Sequence, residues 1–222
     1  MSGLRLWHSF IHPVTGHFRA ERGRFLLKHF PDIRHMRICD LGGSRHFWDN
    51  LGLDVPRENI TIFNISAGET GGLSGGTDDG IDFRLYDGRH IPVADNEFDL
   101  LICNSVLEHV PPDERKALGA EMLRVAKQVF CQTPAYVFPV EPHFIMPFVH
   151  WLPRGIGYRL VRLSPWRVLA RPPEDTIMEY FYGTKLLKEA ELGAILPGAA
   201  IHYERSFGLV KSYMAVSRKE SV

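Results

Sequence analysis

The alternation of apolar and polar positions along the chain predicts strands that alternate with helices. Short runs of β-branched, aromatic and other apolar residues predict seven strands, at residues 36–41, 60–65, 81–85, 98–103, 125–132, 200–207 and 211–218. Helical patterns cover residues 19–30, 45–52, 112–124 and Thr184–Leu192. The last two strands are joined around Gly208 as an antiparallel hairpin. The pattern therefore predicts an α/β fold, a Rossmann-like, mostly parallel sheet with a C-terminal antiparallel hairpin and helices on both faces.

Two segments do not fit this alternation. Residues 66–80 are rich in glycine, which predicts a mobile loop. Residues 133–180 are rich in proline, aromatic residues and histidine. A segment of that length inside a compact domain is usually functional. We interpret residues 1–222 as a single domain with a cap or lid insertion at about 133–180.

Composition narrows the class of protein. Lysine plus arginine and aspartate plus glutamate each number 26, so no overall basic field favours nucleic acid as a partner. Neither a signal peptide in Met1–Ala20 nor a transmembrane helix is expected, because no long apolar run is present. Each of the three cysteines lies in a short apolar run, which predicts buried free thiols and a reducing, cytoplasmic location.

The strongest candidate for a binding site is the turn after the first predicted strand. Asp40, Gly42, Gly43 and Ser44 connect this strand to a predicted helix. Small residues let a backbone approach a ligand closely, and open α/β sheets bind ligands at the carboxyl ends of their strands. A glycine pair is weak evidence by itself, because glycines also form ordinary turns.

Polar side chains also follow the next three predicted strands. They are Asn64, then Asp87 with Gly88, then Asn104 with Ser105. Because the carboxyl ends of parallel strands meet at one edge of a sheet, we expect these residues and the glycine turn to line one cleft.

Three segments together resemble the class I S-adenosylmethionine-dependent methyltransferases, in particular the type 11-like group. They are the Asp40–Ser44 turn, Asp87-Gly-Arg-His-Ile-Pro-Val-Ala-Asp-Asn-Glu-Phe-Asp99 and Asn104-Ser-Val-Leu-Glu-His-Val110. The resemblance covers residues 36–132 and extends with less specificity to the terminal hairpin. It implies a single methyltransferase domain that binds S-adenosylmethionine and methylates an acceptor.

The resemblance also implies roles for individual residues in cofactor binding. Asp40 with Gly42 would hold the methionine part, Asn64 the ribose hydroxyls, and Asp87 with Gly88 the adenine amino group. The remaining cofactor residues would be Gly43, Ser44, Asn104 and Ser105. The sequence departs from the family at Ser44, where a glycine is usual, and at Asn64, where an acid is usual. An amide lacks the charge-assisted acceptor strength of a carboxylate.

The acceptor side is predicted to lie in the 133–180 insertion. A hydroxyl acceptor must lose a proton, so a histidine or carboxylate near the methyl group is expected. We predict His143 as the general base, Glu141 as its orienting partner or a substrate ligand, and His109 as a second candidate. Packing of His143 between aromatic side chains is an equally good interpretation. The spacing of acidic residues predicts no metal site.

The acceptor itself has several candidates. Small molecules, glycans and lipid-linked molecules methylated at oxygen all fit the sequence. Residues 154–171 interleave arginines with apolar residues, which indicates either peripheral contact with a membrane surface or a cap helix with solvated arginines. A non-catalytic cofactor-binding module is an alternative. A nucleotide-dependent oxidoreductase fits less well, because Ser44 and Phe47 occupy the last two glycine positions of its motif. No oligomeric state is predicted.

Overall fold

An eight-stranded sheet runs through the computed structural model, which describes residues 16, 18–67 and 75–219. The strand order is β3-β4-β2-β1-β5-β6-β10-β9. The strands are β1 (Ile38–Leu41), β2 (Ile60–Asn64), β3 (Gly76–Asp78), β4 (Ile81–Leu85), β5 (Phe98–Asn104), β6 (Ala126–Pro134), β9 (Ala200–Ser206) and β10 (Leu209–Arg218).

The centre of the sheet is parallel and its ends are antiparallel. β1 lies between β2 and β5, and β4 and β6 extend the parallel part on either side. β10 pairs antiparallel with β6, and β9 pairs antiparallel with β10. The predicted mostly parallel sheet with a C-terminal hairpin is confirmed. Because β1, β2, β4 and β5 run in one direction, their carboxyl ends meet at one edge.

Helices cover both faces of the sheet, as predicted. The helix at residues 18–29 (α1) and α2 (Arg45–Asn50) pack on one face, where Leu26 and Trp48 meet the strand residues Ile38 and Ile62. The opposite face holds α3 (Arg115–Val125) and α7 (Glu189–Ile195). Neighbouring residues of a strand point to opposite faces, so a fully buried strand such as β1 contributes side chains to both cores.

The structure corrects two sequence predictions about individual elements. The sheet has eight strands rather than seven, because Gly76–Asp78 in the predicted mobile loop forms β3 and pairs antiparallel with β4. Residues 68–74 of that loop lie outside the described residues. The helix predicted at Thr184–Leu192 begins only at Glu189, because Leu187 bridges to Ala135 at the end of the sheet.

The segment that follows β6 forms secondary structure of its own. It contains the short strands β7 (Val140–Glu141) and β8 (Met146–Pro147) and the helices α4 (Arg154–Val161), α5 (Pro165–Ala170) and α6 (Glu174–Gly183). Phe144, Val149, Val161 and Ile177 form a small apolar cluster within it. We call residues 140–183 the insertion.

The remaining predictions concern cysteines and membrane spans. All three cysteines are buried and free, as expected from their apolar surroundings. Within the described part of the chain, no helix has the length and apolar character needed to cross a membrane. Most of Met1–Ala20, where no signal peptide is predicted, lies outside the described residues.

A buried ion-pair cluster joins α1 to the C-terminal hairpin. Arg22 on α1 donates two hydrogen bonds to the Glu204 carboxylate on β9, each at 3.0 Å. Lys211 and Ser212 on β10 donate to the same carboxylate at 2.7 and 3.0 Å. Burial alone would raise the pKa of Glu204, but the charges of Arg22 and Lys211 outweigh it and hold the pKa below its usual value.

We expect Glu204→Ala to destabilise the fold by about 3 kcal/mol, because it leaves Arg22 and Lys211 buried without their counter-ion. The measurement is urea unfolding at neutral pH. Arg24→Ala removes only an exposed ion pair with Glu21 and should cost under about 1 kcal/mol. The Glu204 contribution is present above the pKa of about 4.3 of an unfolded glutamate and is lost as pH falls through the lower folded value. Equal stabilities of the two variants would contradict the assignment.

Candidate active site

The turn after β1 is built around the buried Asp40 carboxyl. Trp48 on α2 donates its indole N–H to Asp40 Oδ2 at 2.7 Å. A Cβ atom at Gly43 would lie 1.8 Å from that same oxygen, so the backbone of the turn lies directly against the carboxyl. Only glycine at position 43 permits this contact.

The second oxygen of Asp40 has no hydrogen-bond partner among the described residues. Burial raises the pKa of Asp40 to about 7, although the Trp48 hydrogen bond acts in the opposite direction. A buried carboxyl oxygen without a donor is costly to maintain. Asp40 Oδ1 is therefore available to accept a hydrogen bond from a ligand.

Gly42 brings the loop after β5 against the same turn. Its φ of +70° is a conformation that favours glycine, and a Cβ there would lie 2.5 Å from the Val106 side chain. Ser44 accepts a hydrogen bond from the Phe47 N–H and so caps α2. The turn and the β5 loop thus form one continuous edge, as the sequence predicts.

Asn64 supports the glycine turn from the end of β2. Its side chain is 1% exposed, and its Nδ2 donates to the Gly43 carbonyl at 3.0 Å. The amide N–H₂ group is thus committed to the protein, and Oδ1 is the atom that can meet a ribose hydroxyl. Positioning of the turn is a role for this residue that the sequence did not indicate.

Asp87 and Gly88 lie beside Asn64, but Asp87 is exposed. The Tyr86 N–H donates to the Asn64 carbonyl, which joins the two strand ends. Asp87 Oδ1 accepts the backbone N–H groups of Arg89 and His90 at 2.8 and 2.7 Å. These hydrogen bonds hold the pKa of Asp87 below its usual value, which favours the carboxylate form. Both of them involve Oδ1 and not Oδ2.

Asn104 and Ser105 end β5 and are both partly buried. Asn104 Oδ1 accepts a hydrogen bond from Arg22 at 3.1 Å, which links the edge to α1. Ser105 has a positive φ of 57° and donates to Gln132 Oε1 at 2.9 Å. All the residues predicted to bind the cofactor therefore lie at the carboxyl edge of the parallel strands.

Glu108 follows this edge and is fully buried, which the sequence did not predict. Thr133 donates to its Oε2 at 2.9 Å, whereas its Oε1 has no hydrogen-bond partner in the described part of the chain. Burial raises the pKa of Glu108. The Lys185 N–H donates to the Glu108 carbonyl, and Arg115 donates to the Lys185 carbonyl, both at 2.7 Å.

The insertion places His143 next to Glu108 and His109. His143 Nδ1 lies 2.6 Å from Glu141 Oε1, and Glu141 Oε2 accepts the Phe144 N–H. The His109 and His143 rings are 5.0 Å apart between centroids and nearly perpendicular. The pairing with Glu141 that the sequence suggested is therefore present.

The two histidines differ in their electrostatic surroundings. Burial would lower the pKa of His143, but the hydrogen bond and charge of Glu141 outweigh it and raise the pKa. His109 keeps some contact with solvent, yet loss of hydration and the neighbouring His143 lower its pKa to about 4. The contact with Glu141 thus makes His143 the more basic of the two imidazoles.

Comparison with known proteins supplies a domain match and a shared fold. Residues 40–129 match the family model for a methyltransferase domain. The structure is similar to magnesium protoporphyrin IX methyltransferase from Synechocystis PCC 6803 with bound S-adenosylhomocysteine (TM-score 0.56, 14% identity, covering 93% of this chain and 84% of that one). It is also similar to an S-adenosylmethionine-dependent methyltransferase from Mesorhizobium loti (TM-score 0.50, 14% identity, 88% and 96%). A Pyrococcus horikoshii OT3 protein matches too (TM-score 0.54, 15% identity, 98% and 91%). No curated protein matches the chain.

Residues 40–129 therefore match a methyltransferase domain, within a chain that has the fold of S-adenosylmethionine-dependent methyltransferases. Its sheet has the fold of the structural neighbours, and the family match confirms the resemblance seen in the motifs. S-adenosylmethionine is the methyl donor of this family, as predicted. The match favours a methyltransferase over the oxidoreductase alternative.

The methyltransferase domain offers features that fit this cofactor. Asp40 Oδ1 is buried without a donor, and an ammonium group such as that of methionine would satisfy it. Gly43 lies where any side chain would displace the Asp40 carboxyl. The residues at the turn therefore suit a ligand with a polar, positively charged end.

We expect Gly43→Ala to weaken binding of S-adenosylhomocysteine by more than about tenfold, because the new Cβ would displace the Asp40 carboxyl. Isothermal titration calorimetry measures this directly. Gly155→Ala is the matched control, since a Cβ there meets nothing within 4 Å. Unchanged affinity in Gly43→Ala would show that the turn does not contact the cofactor.

Proposed function

We propose that the protein transfers a methyl group from S-adenosylmethionine to an oxygen atom of a small-molecule, glycan or lipid-linked acceptor. The observation that carries the proposal is the Glu141–His143 pair, which lies beside the loop that follows β5. A partly buried histidine held by a carboxylate is suited to accept the proton that a hydroxyl acceptor must lose.

The reaction requires positioning and removal of one proton. When bound, S-adenosylmethionine supplies a sulfonium methyl group, whose C–S bond breaks as the bond to the acceptor oxygen forms, and a neutral thioether leaves. His143 Nε2 would take the acceptor proton, because its Nδ1 is held by Glu141. Glu141 acts as a positioning residue, since it fixes the ring orientation.

A cavity next to the pair can receive the acceptor. It has a volume of about 180 Å³ and is lined by residues of the insertion, among them Glu141 and Phe181, and by the flanking Tyr136 and Thr184. This location supports the interpretation of the segment at about 133–180 as a cap over the acceptor site. A cap that excludes water also protects the transfer from competing hydrolysis.

The outer surface of the insertion supports access for a lipid-linked acceptor. Ile156, Leu163 and Val168 are 52, 72 and 61% exposed, and they lie within the arginine-rich residues 154–171. Exposed apolar side chains beside arginines suit peripheral contact with an anionic membrane surface. Arg162 differs from this interpretation, because it forms an ion pair with Glu174 within the insertion.

We expect Asp87→Ala to weaken S-adenosylhomocysteine binding by about tenfold, because Asp87 is the proposed acceptor for the adenine amino group. Calorimetry of the two proteins measures the change. Asp54→Ala is the control, since this carboxylate is exposed and pairs only with Arg34 on the described surface. Unchanged affinity would mean that adenine binds elsewhere.

We expect His143→Ala to lower kcat by about 10²-fold or more while cofactor affinity stays the same, because only proton removal is lost. The readout is radiolabelled methyl transfer across phenolic, glycan and lipid-linked acceptors. His35→Ala is the control, since His35 is exposed and lies outside the site. Wild-type turnover in His143→Ala would make it a packing residue. Cofactor binding without transfer to any acceptor would favour a non-catalytic module.

A further inference from the structure

Glu108 presents a buried oxygen that no group in the described structure satisfies. The side chain is 0% exposed, and Thr133 uses only its Oε2. Its Oε1 is the unsatisfied atom. Buried carboxylate oxygens are normally hydrogen-bonded or bound to a cation, so this atom indicates a missing partner.

Two imidazoles lie beside the Glu108 carboxylate, and each has a contact through one nitrogen. His143 Nδ1 is engaged by Glu141, and His109 Nδ1 lies 3.3 Å from Thr184 Oγ1. Their Nε2 atoms are therefore the nitrogens left for another ligand. One donor atom from each of Glu108, His109 and His143 lies within 4.8 Å of the other two.

Neighbouring groups hold Glu108 and His143 in place. The Lys185 N–H fixes the Glu108 backbone, and Tyr180 packs 6.3 Å from the rings of both histidines. Glu141 holds His143 in the arrangement by which carboxylates commonly orient metal-ligating histidines. One carboxylate and two imidazoles are also a known donor set for catalytic zinc, with the fourth position left open.

We propose that Glu108, His109 and His143 bind a divalent transition-metal ion such as Zn²⁺. Tetrahedral bonds of about 2.0–2.2 Å place the donors about 3.3 Å apart, closer than the 4.8 Å limit of the present cluster. His109 keeps contact with solvent and can make this adjustment.

The role of the ion in catalysis rests on the proposed function. An acceptor hydroxyl bound to the ion would lose its proton to solvent more readily, and the resulting oxygen anion would attack the methyl group. His143 would then be a ligand in the metal-bound enzyme rather than the base. Binding of the ion itself does not depend on the reaction.

The test is calorimetric titration of the metal-free full chain with Zn²⁺ alone, and with Co²⁺ to record visible absorption of a tetrahedral site. We expect one equivalent to bind. Affinity should fall more than about tenfold in His109→Ala, His143→Ala and Glu108→Gln, and by about 10–100-fold in Glu141→Gln. Glu108→Gln retains the acceptor for Thr133, and thermal unfolding checks that each variant folds.

His90→Ala is the matched control, because His90 forms an exposed pair with Glu121 outside the cluster. It should leave Zn²⁺ affinity unchanged. Absence of binding to the wild-type chain, or equal affinity in wild type, His109→Ala and His143→Ala, would overturn the proposal. So would an equal loss in His90→Ala.

Two further measurements separate this site from the proposed function. Methyl transfer that falls on chelation and returns with Zn²⁺ supports the catalytic role of the ion, and full transfer without metal overturns that role. S-adenosylhomocysteine binding is measured on the metal-free chain. Its absence would refute the proposed function while leaving the metal result intact.

Discussion

The close packing of the Asp40 carboxyl under the Gly43 backbone is the contact on which the cofactor side of the molecule depends. Trp48 holds one carboxyl oxygen, and the turn above it is held in place by Asn64. The loop after β5 then packs on Gly42 through Val106. Three strand ends are thus joined through a few short contacts, and a larger side chain at either glycine would separate them.

Two carboxylates at this edge are buried with one oxygen left unpaired. They are Asp40 beside the glycine turn and Glu108 beside the insertion. Desolvation without a partner reduces stability, so a fold optimised for stability alone would not retain these groups. Their locations divide the edge into a side suited to a polar cofactor group and a side suited to the acceptor or a metal ion.

The N-terminal helix is tied to this edge as well as to the distant hairpin. Arg22 bonds both Asn104 at the end of β5 and Glu204 on β9. One guanidinium therefore couples the closing strands of the sheet to the edge where ligands bind. Planar guanidinium groups suit such a position, because they donate several hydrogen bonds in fixed directions. The C-terminal hairpin, at first only a mark of fold class, thus helps to hold the site.

Apolar periodicity and turn residues were sufficient to determine the sheet, both helical layers and the glycine turn. Local signals of this kind show which residues a strand or helix buries. They therefore indicate which side chains face the two cores on either side of the sheet. The eighth strand was missed because Gly76–Asp78 has no apolar pattern and pairs only through its backbone. The helix start at Glu189 was missed because Leu187 is held by the sheet, a contact distant in sequence.

Within the site, the sequence located the strand-end residues but not what their side chains do. Asn64 was recognised by position, yet only the folded chain commits its amide to Gly43. Glu108 had no predicted role, and its burial against Thr133 arises from three-dimensional packing. The meeting of His109 with His143 joins residues from the β5 loop and the insertion. Sequence alone predicted the class of domain and the polar residues at the carboxyl edge of its sheet. Tertiary structure decided which polar atoms are paired among the described residues, because pairing depends on distances between remote segments.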